Sequence, residues 1–156
     1  MIRLIDRKLL DEVCSEAGNS PRKRKNRNFH TTDSAPANRL LNAVEPGSYI
    51  APHRHTDPTK DETLVALRGK FGLVQFDDAG KVVKTVLIEA GGEVCGVDIP
   101  HGTWHSLVAL QTGSIFFEAK AGPFAPFTAE EKAPWAPQEH EAGAPDYLAR
   151  METLFS

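Results

Sequence analysis

The chain predicts an all-β fold, a closed antiparallel sandwich or jelly-roll barrel with a short N-terminal helix and an extended Pro-rich C-terminal tail. Three observations predict it. Between Arg39 and Lys120 the sequence runs as short β-branched and aromatic segments. Turn signals interrupt them at Glu45-Pro46-Gly47, Asp77-Asp78-Ala79-Gly80, Ala90-Gly91-Gly92, Pro100-His101-Gly102 and Thr112-Gly113. No helical pattern intervenes, which favours a sandwich or barrel over alternating strands and helices.

From Asp6 to Ala17 the apolar residues Leu9, Leu10, Val13 and Ala17 follow the helical period, with Asp6 as N-cap and Gly18 as stop. The next stretch mixes Pro21, Pro36 and polar residues with the basic run Arg22-Lys23-Arg24-Lys25-Asn26-Arg27, and reads as a surface arm or a rim segment. Strands are expected over residues 39–44, 48–52, 62–67, 70–76, 81–88, 93–99, 104–110 and 114–120. After Gly122 the prolines 123, 126, 134, 137 and 145 suit an extended wrap, and Asp146 to Phe155 can close with a helical turn or two. The expected organisation is residues 1–38 as helix and basic arm, 39–127 as the barrel, and 128–156 as a tail packed on it.

With 156 residues, 40% hydrophobic and 25% charged, the chain fits one globular domain able to build a core without disulfides. A formal net charge of -3 argues against a nucleic-acid binder. Cys14 and Cys95 lie far apart and outside any CxxC pattern, which fits a reducing cytoplasm. The first residues lack the apolar stretch of a signal peptide and no 18-residue apolar run occurs, so a cytoplasmic protein without membrane spans is expected.

The chemistry concentrates in Gly47-Ser48-Tyr49-Ile50-Ala51-Pro52-His53-Arg54-His55, followed by Glu62 and Gly69. In a strand, residues two apart share a face, so His53 and His55 can point at one place while Arg54 faces the other way. Glu62 at the start of the next strand adds an oxygen, with Asp57 and Asp61 as alternative carboxylates. His105, just after Pro100-His101-Gly102, offers a fourth ligand. Such a nitrogen and oxygen set suits one divalent ion of Fe, Mn, Ni, Co or Zn.

This pairing of motifs resembles the cupin superfamily, whose first motif reads G-x5-H-x-H-x(3,4)-E-x6-G and whose second reads G-x5-P-x-G-x2-H-x3-N. Gly47, His53, His55 and the Glu62-to-Gly69 spacing follow the first, and Pro100, Gly102 and His105 the second. Six residues, Thr56 to Asp61, stand between His55 and Glu62 where the pattern has three or four, and Ala109 replaces the closing Asn. Within that superfamily, four stretches look like the WbuC family of small metalloproteins met among bacterial surface-polysaccharide genes. They are Asn26-Arg27-Asn28-Phe29-His30, Arg39-Leu40-Leu41-Asn42-Ala43, the run from Pro46 to Glu62, and Phe117-Glu118-Ala119-Lys120-Ala121-Gly122-Pro123. The resemblance implies a cupin double-stranded β-helix, a bound metal and a sugar-related setting.

The expectation is a metal-dependent enzyme on a sugar or sugar-nucleotide-like molecule, of isomerase, epimerase or lyase type. The alternatives are a non-haem iron dioxygenase and a non-catalytic metal- or metabolite-binding module. Candidate catalytic residues are Glu62, His30 and Lys60. Candidate substrate contacts are Asn26, Arg27, Tyr49 and Trp104, the two aromatics competing with a plain core role. A homodimer formed through sheet edges or an exchanged arm is expected, because open edges need cover.

Overall fold

A computed structural model describes residues 1–156. Helix α1 (Arg7–Asn19) starts where the Asp6 carboxylate accepts the Leu9 amide at 2.9 Å, and it buries Val13 and Ala17, four residues apart on one face. Eight strands follow: β1 (Arg24–Asn28), β2 (Ala37–Val44), β3 (Glu62–Arg68), β4 (Lys70–Phe76), β5 (Val82–Glu89), β6 (Gly96–Ile99), β7 (Trp104–Ala109) and β8 (Ser114–Ala121). Helix α2 (Ala144–Thr153) closes the chain. No helix is long and apolar enough to cross a membrane.

All pairings are antiparallel. One sheet has the order β1-β2-β8-β3-β6 and the other β5-β4-β7. Strand alternation sends each strand's side chains into two separate cores. Val44, Leu64, Phe71, Leu73, Ile88, Ile99, Leu107 and Phe116 meet between the sheets. Leu41, Ala43 and Ile115, on the opposite face of the larger sheet, receive Val13 and Ala17 of α1. Val74, Phe76, Trp104 and Val108, on the outer face of the smaller sheet, pack on Leu148 and Met151 of α2. The layers are therefore helix, sheet, sheet, helix, and each of the buried Val, Leu, Ile, Phe and Met side chains contributes about 1.5–3 kcal/mol. Two glycines permit this packing. Gly69 (φ +72°) makes the one-residue corner from β3 to β4 against Ser114, and Gly72 lies directly under the Phe155 ring, where a Cβ would collide.

Two segments differ from the sequence expectation. Residues 48–52 form no strand, because the fully buried Pro52 has no amide to give a ladder. Instead His53 exchanges both backbone bonds with His105 (N to O 3.0 and 2.9 Å), and Pro52 O and Arg54 N bond Ala133 N and Glu131 O on the far side. The segment thus continues the smaller sheet past β7. The basic run is also not a free arm: Arg24–Asn28 is β1, paired with β2 from Arg24↔Val44 to Asn28↔Leu40. Its charges suit an edge strand, which is guarded by charge against pairing with other chains.

The basic run and the acidic C-terminal region join within one molecule. Glu139 takes Arg22 Nε and Nη2 at 2.8 Å each, and Arg24 Nη1 and Nη2 at 3.0 and 2.7 Å. The hydrogen bonds from Arg22, then those from Arg24, hold its carboxyl down to about 2 from the ordinary 4.5. Glu139→Gln is expected to cost about 1–2 kcal/mol in urea unfolding at neutral pH, since it leaves the half-buried Arg24 without its anion. The folded value lies below the unfolded one, so this contribution is complete above about 4.5 and fades as pH falls toward 2. The gap between wild type and Glu139→Gln should close over that window, and a gap independent of pH would refute the pairing as its source.

Candidate metal centre

The fold brings the histidines together by backbone before any side chain acts. The antiparallel exchange between His53 and His105 sets their rings 4.5 Å apart. Each ring is then fixed by the same local device. His53 Nδ1 bonds the Ala51 carbonyl and His105 Nδ1 the Thr103 carbonyl, both at 2.9 Å and both two residues back. A carbonyl can only accept, so Nδ1 carries the proton and Nε2 keeps its lone pair, the tautomer a metal requires. Across the inter-sheet space, Glu62 opens β3 with its carboxylate inward. Its Oε2 lies 3.0 Å from His55 Nε2 and 3.6 Å from His105 Nε2. One ligand atom each from His53, His55 and Glu62 falls within 4.8 Å of the others. His105 flanks this group through Glu62 and His53.

The long spacing between His55 and Glu62 is taken up by a loop that uses its own carboxylates. Asp57 accepts the Thr59 amide at 2.8 Å and its hydroxyl at 2.7 Å. Asp61 accepts His101 N and pairs with His101 Nδ1, both at 2.8 Å. Glu62 is thus the carboxylate that meets the histidines.

Electrostatics prepares the group for a cation. Burial, followed by the proximity of His105, lowers His53 to about 3, so its imidazole is neutral at ordinary pH. Burial alone would raise Glu62, but the Glu118 hydrogen bond and the adjoining His105 and His55 rings outweigh it and hold the carboxyl well below its usual range. Glu118 moves the opposite way, raised by burial and by its bond to Glu62. One proton therefore sits on Glu118 and is donated to an ionised Glu62, while Asn42 Nδ2 donates to Glu118 Oε2 at 3.2 Å. Glu131 Oε2 lies 3.8 Å from His55 Nδ1 and takes the Thr56 amide at 3.1 Å, while Oε1 takes the Thr128 amide at 3.1 Å.

Glu118 and Glu131 were not singled out from sequence, yet both carried a signal. Glu118 is a charge at an inward position of an apolar strand, in phase with Phe116. Thr128 and Glu131 have the spacing of a capping box.

The Phe127 ring stands 4.7 Å from that of His53 and 5.6 Å from that of His55, roofing the group on one side. Beside it opens a pocket of about 320 Å³ lined by Asn38, His55, Lys60, Lys120, Phe124 and Glu131, among others. A larger hollow of about 520 Å³ lies elsewhere, between Tyr49, Glu139 and α2.

Of the remaining candidates, Lys60 lines the smaller pocket and donates to the Pro123 carbonyl at 2.7 Å. The others are placed apart from the histidines. Arg27 is held by Glu16 at 2.7 Å, docking α1 on β1. Asn26 is exposed on that edge strand. His30 Nδ1 accepts the Arg39 amide at 3.2 Å. Tyr49 and Trp104 are buried in the core under α2, with Tyr49 OH donating to Pro137 O at 2.7 Å and Trp104 Nε1 to Asp78 at 3.0 Å. Arg54 stacks on the Trp104 ring at 4.2 Å, on the face away from the site.

Comparison with solved structures agrees with this architecture. KdgF from Halomonas sp. is 17% identical with a TM-score of 0.51, over 66% of this chain and 82% of its own. The conserved SPY1581 protein of unknown function from Streptococcus pyogenes is 13% identical with a TM-score of 0.53, over 80% of this chain and 91% of its own. A Bacillus subtilis oxalate decarboxylase variant is 18% identical with a TM-score of 0.51, and this chain spans only 27% of its length. At these identities the likeness is one of fold, and the fold is the cupin jelly roll. No curated protein matches the sequence. A family model described as a domain of unknown function, DUF6016, matches residues 5–88, from the start of α1 through β5 and including His53, His55 and Glu62. That is more than half of the 156 residues, and the chain belongs to the DUF6016 family.

Proposed function

We propose that this protein is a metal-dependent cupin enzyme acting on a small oxygen-rich molecule of the sugar or sugar-nucleotide kind, with isomerase, epimerase or lyase chemistry. The observation that carries the reading is the convergence of His53, His55 and Glu62 ligand atoms within 4.8 Å at the end of the inter-sheet core. The donor set fits a borderline divalent ion: a neutral His53 imidazole with its Nε2 lone pair free, further imidazole nitrogens beside it, and a carboxylate already ionised. His53, His55, Glu62 and His105 would hold it, and such an ion polarises a carbonyl or orients a diol.

The chain's own groups supply the rest. Glu118 holds a proton against Glu62 and steadies its carboxylate. Glu131 sets the His55 ring from its Nδ1 side. Lys60 and Lys120 present ammonium groups at the pocket wall, and Phe127 keeps water from the histidines. The WbuC-like stretches support a polysaccharide-related setting, and the reading includes a cytoplasmic homodimer.

Plasma mass spectrometry of untagged protein tests the centre. Wild type should retain close to one equivalent of a divalent transition metal. His53→Ala and Glu62→Gln should lose it by roughly tenfold or more. Wild type without metal, its unfolding unchanged by a chelator, would overturn the reading. A second expectation concerns the shared proton. Glu118→Gln keeps a donor facing Glu62, so it should retain the metal and unfold within about 0.5 kcal/mol of wild type. Metal loss in Glu118→Gln as large as in Glu62→Gln would reverse the roles of the two carboxyls.

A further inference from the structure

The pocket beside the histidines contains one polar group the fold leaves without a partner. Asn38 is only 4% exposed and lines this pocket, and its carboxamide oxygen accepts no hydrogen bond. An unpaired buried amide oxygen is costly, and native structures retain few of them. Nothing about β2 requires an amide here. Asn38 pairs with Lys120 across the sheet, where an apolar residue would serve the ladder equally well.

The charges around the same pocket are unequally engaged. Its two carboxylates are multiply hydrogen-bonded, Asp57 at Oδ1 by the Thr59 amide and hydroxyl, and Glu131 by the Thr56 amide together with the Thr128 amide and hydroxyl. Its two ammonium groups are not. Lys60 makes one bond to the Pro123 carbonyl, and Lys120 has a single long contact of 3.5 Å to His55 Nε2. A half-buried lysine facing a pocket without a carboxylate partner is a point charge available to an anion. Phe124 and Phe127 supply an apolar wall opposite.

We infer that this pocket binds a small hydroxy-carboxylate, its carboxylate held by Lys120 and Lys60 and its neighbouring hydroxyl donating to Asn38 Oδ1. The carboxylate answers the unspent ammonium groups, and the hydroxyl answers the orphan acceptor. A neutral polyol satisfies only the second, and a plain carboxylic acid only the first. The inference takes its location from the proposed metal centre and names the substrate class for it, but its contacts are independent of the ion.

Calorimetric titration of the full-length protein, metal-loaded and chelator-treated, with two matched pairs of probes tests it. D-gluconate against D-glucitol isolates the carboxylate, and L-lactate against propionate isolates the hydroxyl. In each pair the hydroxy-carboxylate should bind at least about tenfold more tightly than its control, with the Asn38 side-chain amide resonances shifting on saturation. Lys120→Met and Asn38→Leu should each weaken gluconate by about tenfold or more, with thermal unfolding no lower than wild type for Asn38→Leu. Propionate binding as well as lactate, or Lys120→Met binding gluconate like wild type, would overturn the assignment. So would the absence of any response to either hydroxy-carboxylate at about 10 mM, above the millimolar range that a few charged contacts give. Metal content measured on the same samples separates the readings. Gluconate binding without a retained metal refutes the metal centre alone, and a retained metal without hydroxy-carboxylate binding refutes this inference alone.

Discussion

The paired backbone bonds between His53 and His105 are the contact on which the site depends. They attach an irregular segment, interrupted by Pro52, to the edge of the smaller sheet and fix two imidazoles at a cross-strand distance without side-chain help. The carbonyls of Ala51 and Thr103 then set both rings. Because those carbonyls belong to the same short segments as the histidines, position and tautomer come from one piece of backbone. The Glu131 carbonyl bonding Arg54 N, and Ala133 N bonding the Pro52 carbonyl, cover the outer side of the segment. A segment distant in sequence thereby stiffens the histidine ladder.

The two sheets contribute different chemistry. The smaller sheet and its extension carry neutral nitrogen donors, and the larger sheet carries Glu62, Glu118 and Lys120 on β3 and β8. Register explains their meeting: Glu62 lies opposite Lys120, and Leu64 opposite Glu118. Three polar side chains thus sit in phase with the apolar core of Leu64 and Phe116, at the end where the inter-sheet space opens. Burying that many ionisable groups is tolerable because they are paired, one carboxyl keeping its proton to bond the other.

Much of this was legible in sequence. The N-cap at Asp6 and the spacing of Val13 and Ala17 gave α1, and the period-two pattern with its turn residues located seven of the strands within a few residues. His53, His55 and Glu62 were legible because metal chemistry demands particular residue types at particular spacings. Arg27, Tyr49 and Trp104 illustrate the opposite case. An arginine beside a glycine-poor arm and an aromatic near a histidine motif have the same sequence appearance whether they face a ligand or a packed helix. Only the tertiary placement of α1 and α2 distinguishes them. The identity of β1 as a strand was hidden for a related reason, since its residues have weak strand preference and the ladder to β2 overrides that preference.

Charge balance ties the pocket to the centre. Around the histidines and the adjoining pocket, Glu62, Glu131 and Asp57 are ionised carboxylates, Lys60 and Lys120 are ammonium groups, and Glu118 is neutral, which leaves one negative charge. A divalent ion would reverse that sign, and the resulting positive surplus would lie beside a pocket whose lysines already have capacity to spare. An entering carboxylate cancels it, whereas a neutral sugar does not. The same arithmetic gives Lys120 a purpose. Placed 3.5 Å from a ligand nitrogen, it opposes metal binding by simple repulsion, and a residue with that cost is retained more readily if it recovers the loss by contacting an anion. If both bind as proposed, each would make the other's charge more acceptable in a site partly withdrawn from water.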